Sequence, residues 1–113
     1  MARSLFDKVW EAHEVAVLPG GVSLLHVDRH LVHELTGVEA LKVLDRRQLA
    51  VRNPELTFAT LDHVTSTRPG RRAGDAQWST DMVNALREQA ASKGIALFDI
   101  EDGRQGIVHV IGP

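Results

Sequence analysis

The sequence predicts an α/β fold with a largely parallel sheet and helices on its faces. Short apolar runs rich in β-branched residues, typical of buried strands, alternate with longer segments whose apolar residues recur at helical intervals. Breaks made of proline, glycine and asparagine separate these elements. A chain of 113 residues with 43% hydrophobic content can build one modest core, so we expect a single domain or part of one.

Three elements are predicted in the first half of the chain. Ser4 is a residue type that caps helices, and the apolar residues after it share one face of a helix that should end near His13. After a Pro-Gly-Gly turn, residues 22–28 form a short apolar run that ends in a charge, which predicts the first strand. Residues 36–39 have the T-x-x-E pattern of a capping box and begin a second helix that should end near Arg46.

The second half continues the alternation. Residues 56–62 predict a second strand, and the polar, basic residues 64–74 predict an exposed loop. An apolar stripe over residues 75–93, followed by glycine, predicts the longest helix. Residues 95–99 and 107–111 then predict two further short strands.

Composition and charge exclude several functional classes. The formal net charge is -2 with interleaved signs, so there is no basic footprint for nucleic acid or an anionic membrane. The N-terminus lacks the apolar core of a signal peptide, and no apolar run approaches the ~20 residues that span a bilayer. The absence of cysteine excludes disulfides and thiolate metal sites. We expect a cytoplasmic protein that acts on a small molecule or binds a protein, with no nucleic-acid or membrane partner.

The adjacent residues Asp62 and His63 stand at the end of the second predicted strand, where open α/β sheets bind ligands. Histidine titrates near neutral pH, and a neighbouring carboxylate can orient it or raise its basicity. The pair therefore suits general acid catalysis. From the residues alone, a capping or surface role is the commoner use of such a pair, and catalysis is the alternative.

His109 occupies the centre of the last predicted strand. A strand buried on both faces would remove the imidazole from water, and a buried polar ring must find hydrogen bonds. The residues alone therefore favour a hydrogen-bonded core histidine over a catalytic one.

Three histidines, at positions 26, 30 and 33, follow one another at spacings that occur in zinc sites. His26 falls inside the first predicted strand and His30 lies beyond its end, so helical spacing does not bring them and His33 to one face. We predict no metal site. The roles left open are solvated loop residues or contacts to a substrate.

The exposed loop after the second strand is basic. It carries Arg68, Arg71 and Arg72. A guanidinium group binds a carboxylate through two parallel hydrogen bonds, so this loop could recognise an acidic substrate. The irregular polar sequence favours a solvated loop instead.

Four segments together closely resemble the N-terminal part of the large subunit of bacterial 3-isopropylmalate dehydratase, a family of the aconitase superfamily. They are residues 4–9 (SLFDKV), 28–34 (DRHLVHE), 57–63 (TFATLDH) and 105–113 (QGIVHVIGP). The second of these segments is similar to the isopropylmalate branch rather than to aconitase itself. The resemblance implies the N-terminal part of an aconitase-like three-layer α/β/α domain, with residues 1–113 forming a single partial domain.

The resemblance also implies an activity. Family members are hydro-lyases that isomerise 2-isopropylmalate to 3-isopropylmalate through isopropylmaleate, in leucine biosynthesis. The family's Asp-His pair, which matches Asp62 and His63, protonates the departing hydroxyl, and the histidine that matches His109 lines the same site. His30 and His33 belong to the segment typical of this branch, which implies contact with the substrate. This chain alone is expected to be inactive. The alternative is a non-catalytic binding module with the same fold.

The resemblance implies partners outside this chain as well. Family members hold a [4Fe-4S] cluster, a Lewis acid for the substrate hydroxyl, through three cysteines. Because this chain has no cysteine, we expect it to bind no cluster alone. The base that removes the carbon-bound proton is expected from a separate small subunit. The implied substrate is a small 2-hydroxy dicarboxylic acid.

Overall fold

The computed structural model describes residues 2–70 and 72–113, so Arg71 of the basic loop lies outside the described residues. An N-terminal arm consists of α1 (Leu5–His13), β1 (Glu14–Leu18) and β2 (Val22–Leu25). An α/β unit follows it and consists of β3 (His30–His33), α2 (Gly37–Arg46), a 3₁₀ turn (Pro54–Leu56), β4 (Thr57–Thr60), α3 (Gln77–Lys93), β5 (Ala96–Phe98) and α4 (Val108–Ile111). Within the described residues, no helix has the length and apolarity needed to cross a membrane.

Helix α1 begins where the sequence predicts, because Ser4 caps it. The Asp7 N–H donates to Ser4 Oγ at 3.1 Å, and the Ser4 N–H donates to Asp7 Oδ2 at 2.9 Å. β1 follows the helix directly and pairs with β2 in an antiparallel hairpin. The predicted first strand over residues 22–28 therefore forms only at Val22–Leu25. β1, which pairs with this strand, was not predicted, because no turn residue separates β1 from α1.

The arm leaves most of its apolar side chains exposed. α1 contains no buried residue, and Leu5, Phe6, Val15 and Val17 are between 63% and 77% exposed. The molecule is elongated, with extents of 53 × 37 × 24 Å. The hydrophobic core must therefore lie in the α/β unit.

The sheet of the α/β unit is parallel, with the strand order β3-β4-β5. His30 pairs with Thr57 and His33 with Thr60, so β3 and β4 begin and end at the same levels. This confirms the prediction of an α/β fold with a parallel sheet, whereas the hairpin of the arm is antiparallel. His30 and His33 were predicted to lie beyond the first strand, whereas they are the two ends of β3. β3 was not predicted because only two apolar residues separate the two histidines.

The core lies between the sheet and helices α2 and α3, both of which were predicted. Its buried apolar residues are Val32, Val38, Leu41, Ala59, Leu61, Val83, Leu86, Ala90, Ile95 and Ile100. α3 ends at Gly94, whose φ of +68° is favourable for glycine. The predicted capping box at Thr36 does not form, because its side chain makes no cap hydrogen bond. Its hydroxyl instead lies 3.5 Å from His33 Nε2.

Residues 107–111 do not form the predicted strand but end in the short helix α4. The N–H groups of Val110 and Ile111 both donate to the Ile107 carbonyl, at 2.8 and 3.1 Å. His109 is exposed on this helix, so the prediction of a histidine buried in a strand is wrong. An apolar run of five residues is compatible with either structure, and the tertiary contacts of the segment decide between them.

Candidate functional site

The candidate site lies at the edge of the sheet where β3 and β4 end, which we call the β3–β4 edge. Parallel strands that end at the same level place the residues after them side by side, and open α/β sheets bind ligands there. His33 is the last residue of β3, and Glu34 follows it. Asp62 and His63 follow β4 after the buried residue Leu61. The structure therefore brings together three of the five predicted site residues.

Asp62 is held through both of its carboxylate oxygens. Oδ1 contacts His63 Nδ1, and Oδ2 accepts a hydrogen bond from the Val108 N–H at 3.0 Å. The Asp62 side chain is only 2% exposed, whereas that of His63 is 42% exposed. The tautomer of His63 with a proton on Nδ1 satisfies the contact with Asp62 and leaves Nε2 available to a ligand.

His33 supports the same ring from one side. The imidazoles of His33 and His63 are stacked, with 3.8 Å between centroids and 15° between planes. His33 Nδ1 accepts a hydrogen bond from the Leu35 N–H at 3.3 Å, which fixes the ring next to the turn that starts α2. His30 does not join the site. It pairs with Thr57 at the opposite end of β3. Three residues of strand separate His30 from His33, which is a distance of about 10 Å along β3.

Glu34 is a site residue that the sequence pattern did not reveal. Its side chain is completely buried and accepts hydrogen bonds from three consecutive backbone N–H groups beyond β4. Oε2 accepts from Asp62 at 3.1 Å, and Oε1 accepts from His63 at 2.7 Å and from Val64 at 2.6 Å. The sequence offers two weak signals, its place directly after the histidine that ends β3 and its membership of the segment over residues 28–34. A charged residue at such a place more often lies in solvent.

The segment before α4 closes another side of the β3–β4 edge. Thr60 Oγ1 donates to the Gly106 carbonyl at 2.7 Å, and the Gln105 side chain donates to the Leu61 carbonyl. Together with the bond between Val108 and Asp62, these contacts attach residues 105–108 along the end of β4. His109 comes next in the chain, but its side chain makes no hydrogen bond within the described residues.

Two ion pairs fix the chain between β5 and this segment. Arg87 donates Nε to Asp99 Oδ2 at 2.7 Å and Nη2 to Asp99 Oδ1 at 2.8 Å. These hydrogen bonds lower the pKa of Asp99. The Arg104 guanidinium, followed by the Arg104 backbone N–H, lowers the pKa of Asp102 to about 2. Both carboxylates are therefore charged at neutral pH and hold the loop that leads to α4.

The described part of the basic loop is held by its own contacts. Ser66 Oγ donates to Asp75 Oδ2 at 2.7 Å, and the Ser66 N–H donates to the Arg72 carbonyl at 3.1 Å. Arg68 and Arg72 are exposed, and Arg68 Nε lies 3.9 Å from Asp75. This arrangement agrees with the solvated loop that the sequence favours.

The metal-binding capacity of the β3–β4 edge is limited. His33, Asp62 and His63 offer ligand atoms within 4.8 Å of one another. Stacked imidazoles direct their nitrogen lone pairs along parallel planes, so one ion cannot lie in both ring planes. An iron–sulfur cluster needs thiolate ligands, and the chain contains no cysteine. The residues present therefore do not fit a cluster held by this chain alone.

Comparisons with known proteins find relatives that match nearly the whole chain. The chain is 50% identical over 111 residues to the 3-isopropylmalate dehydratase large subunit 1 of Bradyrhizobium diazoefficiens. The matched region covers 98% of this chain and 23% of that protein. It is 44% and 45% identical over 113 residues to the 3-isopropylmalate dehydratase large subunits of Sorangium cellulosum and Thermus thermophilus, covering 24% of each. The chain thus spans about a quarter of the length of these curated relatives.

No solved structure matches the chain. The sequence matches the aconitase family (aconitate hydratase) over residues 7–113, which include every residue of the β3–β4 edge. The chain therefore belongs to the aconitase family.

Proposed function

We propose that this chain is part of a 3-isopropylmalate dehydratase and supplies the proton-transfer pair of that hydro-lyase. One observation carries the proposal: a buried aspartate, bound through both oxygens, holds Nδ1 of a half-exposed histidine at the β3–β4 edge. The names of the relatives support the choice of reaction. The substrate class that follows is a 2-hydroxy dicarboxylic acid.

The proposed step is the protonation of the leaving hydroxyl. Loss of hydroxide from carbon is slow, and transfer of a proton to the departing oxygen converts the leaving group to water. The His63 ring protonated at both nitrogens gives this proton from Nε2, while Asp62 fixes the ring through Nδ1. In the reverse direction, the same nitrogen takes a proton from the water that adds to the double bond. One pair thus serves both dehydration and rehydration.

The other histidines have different positions in this proposal. His33 stacks on His63 and belongs to the site as a contact on the substrate side. His109 is proposed to line the site from α4, because Val108 beside it bonds to Asp62. His30 lies at the opposite end of β3, and its position gives no support to a substrate contact.

The proposed enzyme needs components that this chain does not contain. A [4Fe-4S] cluster would require thiolates from other polypeptide, since this chain has none. The words "large subunit" in the names of the relatives imply a small subunit. We propose that this small subunit supplies the base that removes the carbon-bound proton. We therefore expect the chain alone to be inactive, and we propose a cytoplasmic location for the complete enzyme.

The test uses a chimera in which residues 1–113 replace the matching part of the Thermus thermophilus large subunit, produced with its small subunit. His63→Ala should lower kcat about 100-fold or more, the usual effect of losing general acid–base catalysis. Iron content should stay equal to that of the unsubstituted chimera.

His26→Ala is the matched control, because His26 is an exposed histidine in the loop after β2. It should leave kcat within about twofold of the unsubstituted chimera. Near-normal turnover of His63→Ala with iron present would remove the proposed acid. An unsubstituted chimera that assembles with iron but shows no turnover would instead favour the alternative, a binding module that keeps the fold without the chemistry.

A further inference from the structure

We infer that Glu34 is a positioning residue that holds the Asp62–His63 turn in its reactive geometry. The inference rests on the proposed proton-transfer function of that pair. Its basis is a buried carboxylate on one strand end that binds the backbone of the next strand end. Glu34 is completely buried and acts on the reacting pair only through the backbone of the turn.

The backbone beyond β4 depends on Glu34 for its hydrogen bonds. Strand pairing of β4 with β3 and β5 ends at Thr60. The N–H groups of Asp62, His63 and Val64 lie beyond this pairing. All three point to one carboxylate at 2.6 to 3.1 Å. Three consecutive donors that bind one carboxylate fix the direction of the turn. The direction of the turn then determines the positions of the Asp62 and His63 side chains.

Because Glu34 is buried, its three hydrogen bonds require a carboxylate at this position. The Glu34 side chain is 0% exposed, and no Lys, Arg or His side chain forms an ion pair with it among the described residues. A carboxylate offers acceptors at both oxygens, whereas an amide of the same size has one acceptor and one NH₂ donor. Glu34→Gln therefore turns a donor toward at least one backbone N–H. The turn must then rotate away or leave a buried donor unpaired.

Two neighbouring residues at the end of β3 thus control one histidine. Glu34 binds the His63 backbone, and His33 stacks against the His63 ring. A shift of the turn would disturb the ring stacking and the contact between Asp62 and Nδ1 together. Because proton transfer is sensitive to small displacements of the donor, a change at Glu34 should act on the rate of the chemical step.

The first experiment measures the turn directly in the 113-residue chain. Backbone amide shifts and hydrogen-exchange rates of Asp62, His63 and Val64 are recorded by NMR for the wild type and Glu34→Gln. We expect faster exchange, about tenfold or more for at least one of these amides, and unchanged exchange in the middle of α3. Unchanged shifts and exchange at all three amides would overturn the inference.

The second experiment measures kcat and KM in the chimera with the Thermus thermophilus large subunit and its small subunit. Glu34→Gln should lower kcat about tenfold or more, with KM changed less than about threefold, as expected for a residue that supports a catalytic group. Val83→Ala is the control for general destabilisation, because Val83 is fully buried in α3. It should leave kcat within about twofold.

The variants also separate this inference from the proposed function. If His63→Ala lowers kcat and Glu34→Gln does not, the proton-transfer function stands and the role of Glu34 is refuted. If His63→Ala is silent, the proposed function fails, whatever Glu34→Gln does. If Glu34→Gln and Val83→Ala lower kcat equally, the effect of Glu34 is only on folding. Glu34→Gln added to His63→Ala should cause little further loss, since both act on one step.

Discussion

Leu86→Ala should lower the free energy of unfolding of this chain by about 3 kcal/mol, whereas Leu5→Ala should change it by less than about 0.5 kcal/mol. Leu86 is 0% exposed on α3, so the substitution removes its full burial and leaves a cavity, which costs about 2–5 kcal/mol in other proteins. Leu5 is 77% exposed on α1. Full burial of a leucine side chain contributes about 2 kcal/mol, so Leu5→Ala removes about a quarter of that amount. The higher helix propensity of alanine offsets part of this loss.

Urea unfolding followed by far-ultraviolet circular dichroism measures both variants, which carry the same chemical change on two helices. Equal m-values for the variants and the wild type would support a simple comparison of stabilities. A loss above about 1.5 kcal/mol for Leu5→Ala would show that the arm packs against something in solution. A loss below about 1 kcal/mol for Leu86→Ala would contradict the core described between α3 and the sheet.

Three further predictions concern the backbone, the charges and the cluster. Gly37→Ala should cost about 1–3 kcal/mol in urea unfolding, because its Cβ would lie 2.2 Å from Cγ1 of buried Val32. Arg104→Ala should raise the pKa of Asp102 from about 2 toward its ordinary value in an NMR titration. The lowered pKa contributes stability that is complete above about pH 4 and lost as the pH falls toward about 2, so the wild type and Arg104→Ala should converge in stability at that acid limit. Anaerobic reconstitution of the 113-residue chain should load no cluster, and about four irons per chain would contradict this.

The sequence predicts the helices better than the strands. α1, α2 and α3 carry apolar residues at helical spacing over nine or more positions, and their bounds are close to the predicted ones. β1 follows a helix without a turn residue, and β3 has only two apolar residues between two histidines. Strands this short depend on partners far away in the chain, which no local pattern contains.

The C-terminal segment shows how tertiary contacts override a local pattern. Its alternation of β-branched residues around His109 is equally suited to a strand, and the structure makes it the one-turn helix α4. The Val108 N–H is used by Asp62 rather than by a neighbouring strand. Residue spacing alone cannot reveal a bond between positions 62 and 108.

The site was predictable where the chemistry is local. Asp62 and His63 are adjacent in sequence, and the structure places them in contact at the end of β4. His30 and His33 could not be separated from the sequence, because only the register of β3 puts one at the β3–β4 edge and the other at the opposite end. Glu34 could not be found, because all three of its donors lie 28 to 30 residues away.

The arm exposes many large apolar side chains outside the core. Leu5, Phe6, Val15 and Val17 are each more than 60% exposed, which is unusual for so many large apolar side chains in one short segment. Their contribution to the folding of this chain is correspondingly small. The comparison of Leu5→Ala with Leu86→Ala measures that contribution.

A double-mutant cycle in the chimera tests whether Asp62 and His63 perform one proton transfer together. Turnover is measured for Asp62→Asn, His63→Ala and the double variant, with iron content checked in each. We expect each single substitution to lower kcat about 100-fold and the double variant to be no more than severalfold slower than His63→Ala, because residues that act as a unit do not add. Near-normal turnover in either single variant, or losses that multiply to about 10⁴-fold, would contradict a shared proton transfer.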